Sequence, residues 1–137
     1  MTDWVKDIEE MHEKYGVHEW VDNATPEQLA KFMQFRLAFL QEELNETQDA
    51  FEAGDAKEMV DGLIDLCVIA IGTLDAFNAD AHGSWQEVLR ANMAKEVGIK
   101  ASRPNPLGLP DLVKPHDWIG PDHTGKTGYF ALLEEEE

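Results

Sequence analysis

Glu42, Glu43 and Glu46 are followed, after an eleven-residue spacer, by Glu58 and Asp61. The first group reads EExxE and the second ExxD. Residues three or four apart on a helix share a face, with Cβ atoms roughly 5–6 Å apart. Two adjacent antiparallel helices carrying these groups could therefore turn four carboxylates toward one spot. Like charge at that density is unfavourable without a cation, and Mg²⁺, a hard ion that takes oxygen ligands, suits it. Magnesium in turn suggests a substrate bearing phosphate.

The acids need helices to carry them, and four can be read from start and stop signals. The first spans about residues 3–15, with Trp4, Ile8, Met11 and Tyr15 as its apolar stripe and Gly16 at its end. The second opens on Thr25, Pro26 and Gln28, an N-cap, a first-turn proline and a capping-box partner. It runs to about Ala53 and stops at Gly54. Asp55 caps the third, with Glu58 as a second capping-box partner, and that helix continues to about Phe77. Ser84 and Glu87 signal a fourth, ending near Gly98. No stretch shows sustained strand alternation, and short connections favour antiparallel neighbours. The expected fold is all-α: a four-helix bundle-like core over residues 1–100, then an irregular Pro/Gly-rich C-terminal arm over 101–137 with an acidic tail, Glu134 to Glu137.

On the second helix Leu29, Met33, Leu40, Leu44 and Phe51 form one stripe, widened to one side by Phe32, Phe35 and Phe39. Glu43 and Glu46 project within that arc, and Glu42 falls at its edge. The third helix contains LIDLCVIAI, apolar nearly all round, and is expected to be the most buried element. Glu58, Asp61 and Asp65 share a face of it, and Asp65 interrupts the apolar run. Buried carboxylates without partners cost several kcal/mol or take up protons, so these positions ask for cations. A plainer account is open too: acids near a helix start favour its macrodipole, so Glu58 could only be a capping residue. Asp65 could sit beside a metal or pair with a buried Lys or Asn. On the fourth helix Asn92 falls within the face set by Trp85, Val88 and Leu89, with Lys95 one turn on. Both could reach a phosphate or a base.

A formal charge of −17, from 11 basic and 28 acidic side chains, argues against nonspecific binding to DNA, RNA or anionic membranes. No apolar run approaches the ~20 residues that span a bilayer. The acidic N-terminus lacks the layout of a secretory signal, and the single Cys67 cannot form an internal disulfide; a cytoplasmic location is expected. Gly120 to Thr127, GPDHTGKT, matches GxxxxGK[ST] in form. A phosphate loop of that kind needs a buried strand before it and a helix after it, and a Pro-rich arm offers neither. A di-iron carboxylate bundle would use Glu-x-x-His pairs, absent from the second and third helices. His12, His18, His82, His116 and His123 show no ligand spacing, and His12 is expected on the surface. A non-enzymatic alternative, an acidic helical protein that mimics nucleic acid or blocks a basic partner, would need its acids spread outward.

EELNE at Glu42–Glu46, EMVD at Glu58–Asp61 and NMAK at Asn92–Lys95 together resemble the MazG-like all-α nucleoside triphosphate pyrophosphohydrolases, over about residues 25–98. KPHDW, at Lys114–Trp118, is similar to a tail of small phage-type members. The resemblance implies Mg²⁺ ligands at Glu43, Glu46, Glu58 and Asp61, with Mn²⁺ able to substitute. It implies Glu42 as an acid that stands behind the ligands or orients water, and Asn92 and Lys95 as nucleotide contacts. The implied reaction turns a (deoxy)nucleoside triphosphate and water into a monophosphate and pyrophosphate. The implied assembly is a homodimer or homotetramer with sites between subunits.

Overall fold

A computed structural model describes residues 2–98, 100, 107 and 111–134. The helices are α1 (Trp4–Lys14), α2 (Val17–Asp22), α3 (Pro26–Ala53), α4 (Ala56–Ala76) and α5 (Ala81–Met93). Two short strands follow, β1 (Glu96–Gly98) and β2 (Asp111–Val113), and then a 3-10 helix, Gly128–Leu133. The chain is all-α, with a two-stranded antiparallel pair as its sheet among the described residues. Most of the expected arm between 101 and 110, and the acidic tail beyond Glu134, lie outside the described residues. Two compact units result: Met1–Ala81 with Thr127–Glu137, and His82–Lys126.

Local chemistry sets the long helices. The Thr25 hydroxyl accepts from the Gln28 N–H at 3.2 Å, and Gln28 Oε1 accepts from the Thr25 N–H at 2.8 Å, closing the capping box. Gly54, at φ 68°, ends α3 in the left-handed conformation that glycine adopts without strain. Asp55 then accepts from the Glu58 N–H at 3.1 Å and starts α4. At the second expected capping box only this forward half forms, which leaves the Glu58 side chain uncommitted.

Three expectations about elements need correction. Gly16 does end α1, but it also serves as N-cap of α2, whose six residues are too few to show a period. The fourth predicted helix starts at Ala81 rather than Ser84, because Asn78 takes the turn at φ 54° and the chain re-enters helix almost at once. It stops at Met93 rather than near Gly98, since Val97 and Gly98 pair with Leu112 and Asp111. Three-residue strands are below the length at which alternation can be read.

In the first unit α4 packs on α3 and α1, and α2 and the 3-10 helix close one end. Val21, Leu29, Ala76 and Phe77 form the buried centre there, joined by Phe32, Met33, Tyr129 and Phe130. The Phe77 and Phe130 rings stack at 4.2 Å and 10°. The Tyr129 N–H donates to the Phe77 carbonyl at 2.6 Å, and its hydroxyl donates to Asp22 at 2.8 Å. Two glycines let α4 approach its neighbours. A Cβ on Gly62 would overlap the Thr47 hydroxyl of α3, and one on Gly72 would stand 2.6 Å from Arg36 Nη2 and 3.3 Å from His12 Nε2. Arg36 donates to the Ile69 carbonyl at 2.9 Å and to the Thr73 hydroxyl at 3.0 Å.

His12 corrects the surface assignment: it is 5% exposed, and its Nδ1 lies 2.8 Å from Asp75 Oδ2. Its turn of α1 faces α4 where Gly72 leaves room. The same carboxylate oxygen lies 2.7 Å from His18 Nε2, while His18 Nδ1 faces Glu13 Oε2 at 3.0 Å. The Glu13 hydrogen bond, aided by Asp75 against partial burial, raises the His18 pKa above 6.5. Burial lowers that of His12 despite its bond to Asp75.

The helix expected to be the most buried element, α4, has most of its buried residues in its second half. Ile69, Gly72, Thr73 and Ala76 are buried, but Val60, Leu63 and Ile64 are 63%, 55% and 45% exposed.

The second unit joins α5, from His82 on, to the β1–β2 pair and the following loop. Trp118 donates its indole N–H to the Ala91 carbonyl at 2.7 Å. Glu87 accepts from Arg90 at 3.3 Å and from the Asp122 N–H at 3.0 Å. Arg90 reaches the Gly120 carbonyl at 3.0 Å.

Two measurements check this packing. Gly62→Ala should destabilise the protein by about 1–3 kcal/mol in urea unfolding, the usual range for an overpacked contact. Adding Thr47→Ala should recover part of that loss. For His18, a folded pKa above the unfolded one means stability fully present below about pH 6.5 and lost as pH rises through the raised value. Metal-free His18→Ala should therefore show less loss of stability than the natural chain between about pH 6.5 and pH 8.

Candidate active site

The approach of α3 and α4 at Thr47 and Gly62 places the acids. Glu46 precedes Thr47, and Asp61 precedes Gly62. Glu43 lies one turn earlier on α3 and Asp65 one turn later on α4. Thr47 turns its hydroxyl back to the Glu43 carbonyl at 2.8 Å, which keeps that bulk inside the helix groove while Gly62 closes over it.

Glu43 is half-buried, and its Oε2 is shielded from solvent with no hydrogen-bond partner among the described residues. Desolvation first, then the charges of Glu46 and Asp65, a hydrogen bond with Glu46 and the charge of Glu42, push its carboxyl above the usual carboxylate range. Four acids from two helices thus act on one another electrostatically. Asp65 is the α4 residue whose charge reaches Glu43. Glu42 and Glu46 are exposed, as are Glu58 and Asp61 on α4. Side chains in that position are free to rotate toward an ion. No three acids of α3 and α4 have ligating atoms all within 4.8 Å of one another; among the described residues His12, His18 and Asp75 meet that spacing.

A buried, unpartnered carboxylate oxygen surrounded by like charge is a feature that structures generally avoid. Hard oxygen donors from exposed flanking acids match the coordination chemistry of Mg²⁺, which keeps several waters and takes few protein ligands. The donor set therefore fits such an ion.

Asn92 is exposed rather than set among apolar neighbours, because Trp85 on the same helix is itself 71% exposed. Lys95 follows the helix end, and its backbone N–H donates to the Asn92 carbonyl at 3.2 Å. Its Nζ stands 5.5 Å from the centre of the Trp118 ring, and Lys114 Nζ stands 4.8 Å from the same centre. Lys114 and Trp118 belong to the KPHDW segment, but only the tertiary fold shows that this segment meets Lys95. The GPDHTGKT stretch is a turn with Gly125 at φ 76°. Thr124 donates its N–H to Asp122 Oδ1 at 2.9 Å, and Lys126 bends its Nζ back to the Asp122 carbonyl at 3.3 Å. No strand leads into it, so the match to a phosphate loop is formal only. The His12–His18–Asp75 group was missed because its members lie 63 and 57 residues apart across the helix pair.

The all-α fold with acids on α3 and α4 is the setting for the family comparison, which supports a hydrolase of the nucleotide pyrophosphohydrolase kind. Residues 17–92, more than half of the chain, match the model of the phosphoribosyl-ATP pyrophosphohydrolase family, and the chain belongs to that family. The match takes in α2, α3, α4 and α5 as far as Asn92, and so covers EELNE and EMVD but stops short of Lys95. A comparison with curated proteins returned no match.

Removing the charge of Glu43 should separate stability from function. Its raised pKa makes the ionised form unfavourable in the fold, so folding stability falls as pH rises from the unfolded value through the folded one. Glu43→Gln should therefore raise the metal-free melting temperature at pH 7–8, read by differential scanning calorimetry.

Proposed function

We propose that the chain is a Mg²⁺-dependent nucleotide pyrophosphohydrolase that converts a (deoxy)nucleoside triphosphate and water to a monophosphate and pyrophosphate. Attack would fall on the α-phosphorus. The observation that carries this reading is the buried Glu43 Oε2, without a hydrogen-bond partner and faced by the charges of Glu46, Asp65 and Glu42. A nucleic-acid mimic has no use for an acid turned inward.

Glu43, Glu46, Glu58 and Asp61 are the residues that would hold Mg²⁺, or Mn²⁺ in its place. When bound, the ion supplies charge screening and polarisation of the phosphate oxygens. Asp65 raises the negative potential at Glu43 and so strengthens the site for a cation. Glu42, which is exposed, would accept a hydrogen bond from the attacking water and align it. Lys95 offers a compact positive charge for phosphate, and Asn92 offers paired donor and acceptor groups for a base or sugar. The name of the matching family makes phosphoribosyl-ATP the first substrate to set beside the common triphosphates.

Leu37 and Leu44 of α3 and Val60 and Leu63 of α4 are all more than half exposed. That much apolar surface on the site-bearing helices supports a homodimer or homotetramer. Among the described residues no helix is long and apolar enough to cross a membrane.

Pyrophosphate release from a panel of NTPs, dNTPs and phosphoribosyl-ATP, with and without Mg²⁺, tests the reading. Turnover of at least one of them should require the ion. Glu43→Gln should lower it on the order of 100-fold or more, since even outer neighbours of metal ligands cost ~10–100-fold. Silence across the panel by folded protein would return the chain to the class of acidic interaction modules. Light scattering should give an oligomer, and Leu63→Glu should shift it toward monomer.

A further inference from the structure

His12, His18 and Asp75 lie outside the acidic cluster and take no part in the proposed hydrolysis. They come from three elements, α1, α2 and α4, and their ligating atoms lie within 4.8 Å of one another. Asp75 Oδ2 is 2.8 Å from His12 Nδ1 and 2.7 Å from His18 Nε2, and the two rings meet edge to face at 6.1 Å. The hydrogen-bond inventory around His18 is unusual. Its Nδ1 faces Glu13 Oε2 at 3.0 Å while its Nε2 faces Asp75, so both ring nitrogens point at carboxylate oxygens. A neutral imidazole has one N–H to donate. A second positive centre is needed on the Asp75 side, either a proton or a metal ion.

We propose that His12 Nδ1, His18 Nε2 and Asp75 Oδ2 form a three-ligand site for a zinc-class dication, separate from the Mg²⁺ site. Two imidazoles and one carboxylate are a donor set that zinc takes with a water in the fourth position, and imidazole selects such metals over magnesium. With the ion between them, His18 keeps its Nδ1 proton on Glu13. This is the carboxylate–histidine–metal arrangement that fixes ring orientation and raises ligand basicity. Asp75 and His12 are nearly enclosed by the fold, with side chains 12% and 7% exposed, while His18, at 26%, leaves a way in from solvent. Arg36, donating to Ile69 and Thr73 beside Gly72, lies near enough to His12 for its charge to oppose a cation there. A bound ion would clip the α1–α2 corner to α4.

Zinc chloride titrated into chelator-treated full-length protein, followed by calorimetry and metal analysis, tests this directly. One equivalent should bind, excess Mg²⁺ should not displace it, and the melting temperature should rise by at least about 4 °C at saturation. Cobalt in place of zinc should give the intense visible bands of a four- or five-coordinate imidazole site, a readout that needs no variant. His18→Ala and Asp75→Asn, each checked for helix content, should weaken binding about tenfold or more, and His116→Ala should leave it unchanged. Failure of the natural chain to take up zinc would overturn the proposal. So would displacement by Mg²⁺, a weak octahedral cobalt spectrum, or undiminished binding by folded His18→Ala and Asp75→Asn.

Discussion

The closeness of α4 to its neighbours is the constraint from which the rest of the first unit follows. A helix can come within backbone reach of another only where a side chain is missing, and α4 has two such places ten residues apart. At Gly62 the gap is filled by Thr47, and the acids on either side of that crossing are brought into one another's fields. At Gly72 it is filled from two directions, by Arg36 of α3 and His12 of α1. Arg36 satisfies backbone and hydroxyl acceptors at Ile69 and Thr73, and its guanidinium lies 5.8 Å and 6.0 Å from the Phe32 and Phe39 ring centres. The polar seam is therefore sheathed in aromatic carbon, which strengthens each of its hydrogen bonds by excluding water.

The two polar clusters that these crossings create have opposite electrostatic character. Around Glu43 desolvation and the neighbouring carboxylates all push the same way, and the fold holds a carboxylate that it would stabilise better as a neutral group. Around Asp75 acids meet imidazoles instead: one carboxylate oxygen is shared by His12 and His18, with Glu13 behind His18. The first arrangement raises the energy of the folded state. Sites that bind cations commonly carry such local instability, which the surrounding packing sustains.

Much of the architecture was legible because the signals were local. Thr25, Pro26 and Gln28 at one end and Gly54 and Asp55 at the other fixed α3 and the start of α4 to the residue, since capping chemistry depends on neighbours three or four positions away. The acid spacings were readable for the same reason. Periodicity misled where burial depends on what lies opposite. Val60, Leu63 and Ile64 belong to the apolar part of α4 yet remain largely exposed, so a hydrophobic stretch that reads as core is half surface. His12 fails in the other direction, since a polar residue on an amphipathic helix reads as solvent-facing until Gly72 and Asp75 are known to stand across from it. Short elements such as α2 and the β1–β2 pair give no period at all, and the meeting of Lys95, Lys114 and Trp118 depends on a chain reversal that no local pattern encodes.

The backbone hydrogen bond from Tyr129 to Phe77 has a topological consequence. It ties together Phe77 and Tyr129, both of the first unit, and so closes the intervening chain into a loop at its two ends. Closing a loop of flexible chain costs only about 0.6 kcal/mol for each doubling of its length, and here the closure is anchored by the stacked Phe77 and Phe130 rings. The intervening segment can therefore lengthen, shorten or be exchanged among related chains at small thermodynamic cost to the first unit. Variation in this family is accordingly expected to concentrate between Asn78 and Gly128, where the scaffold tolerates it.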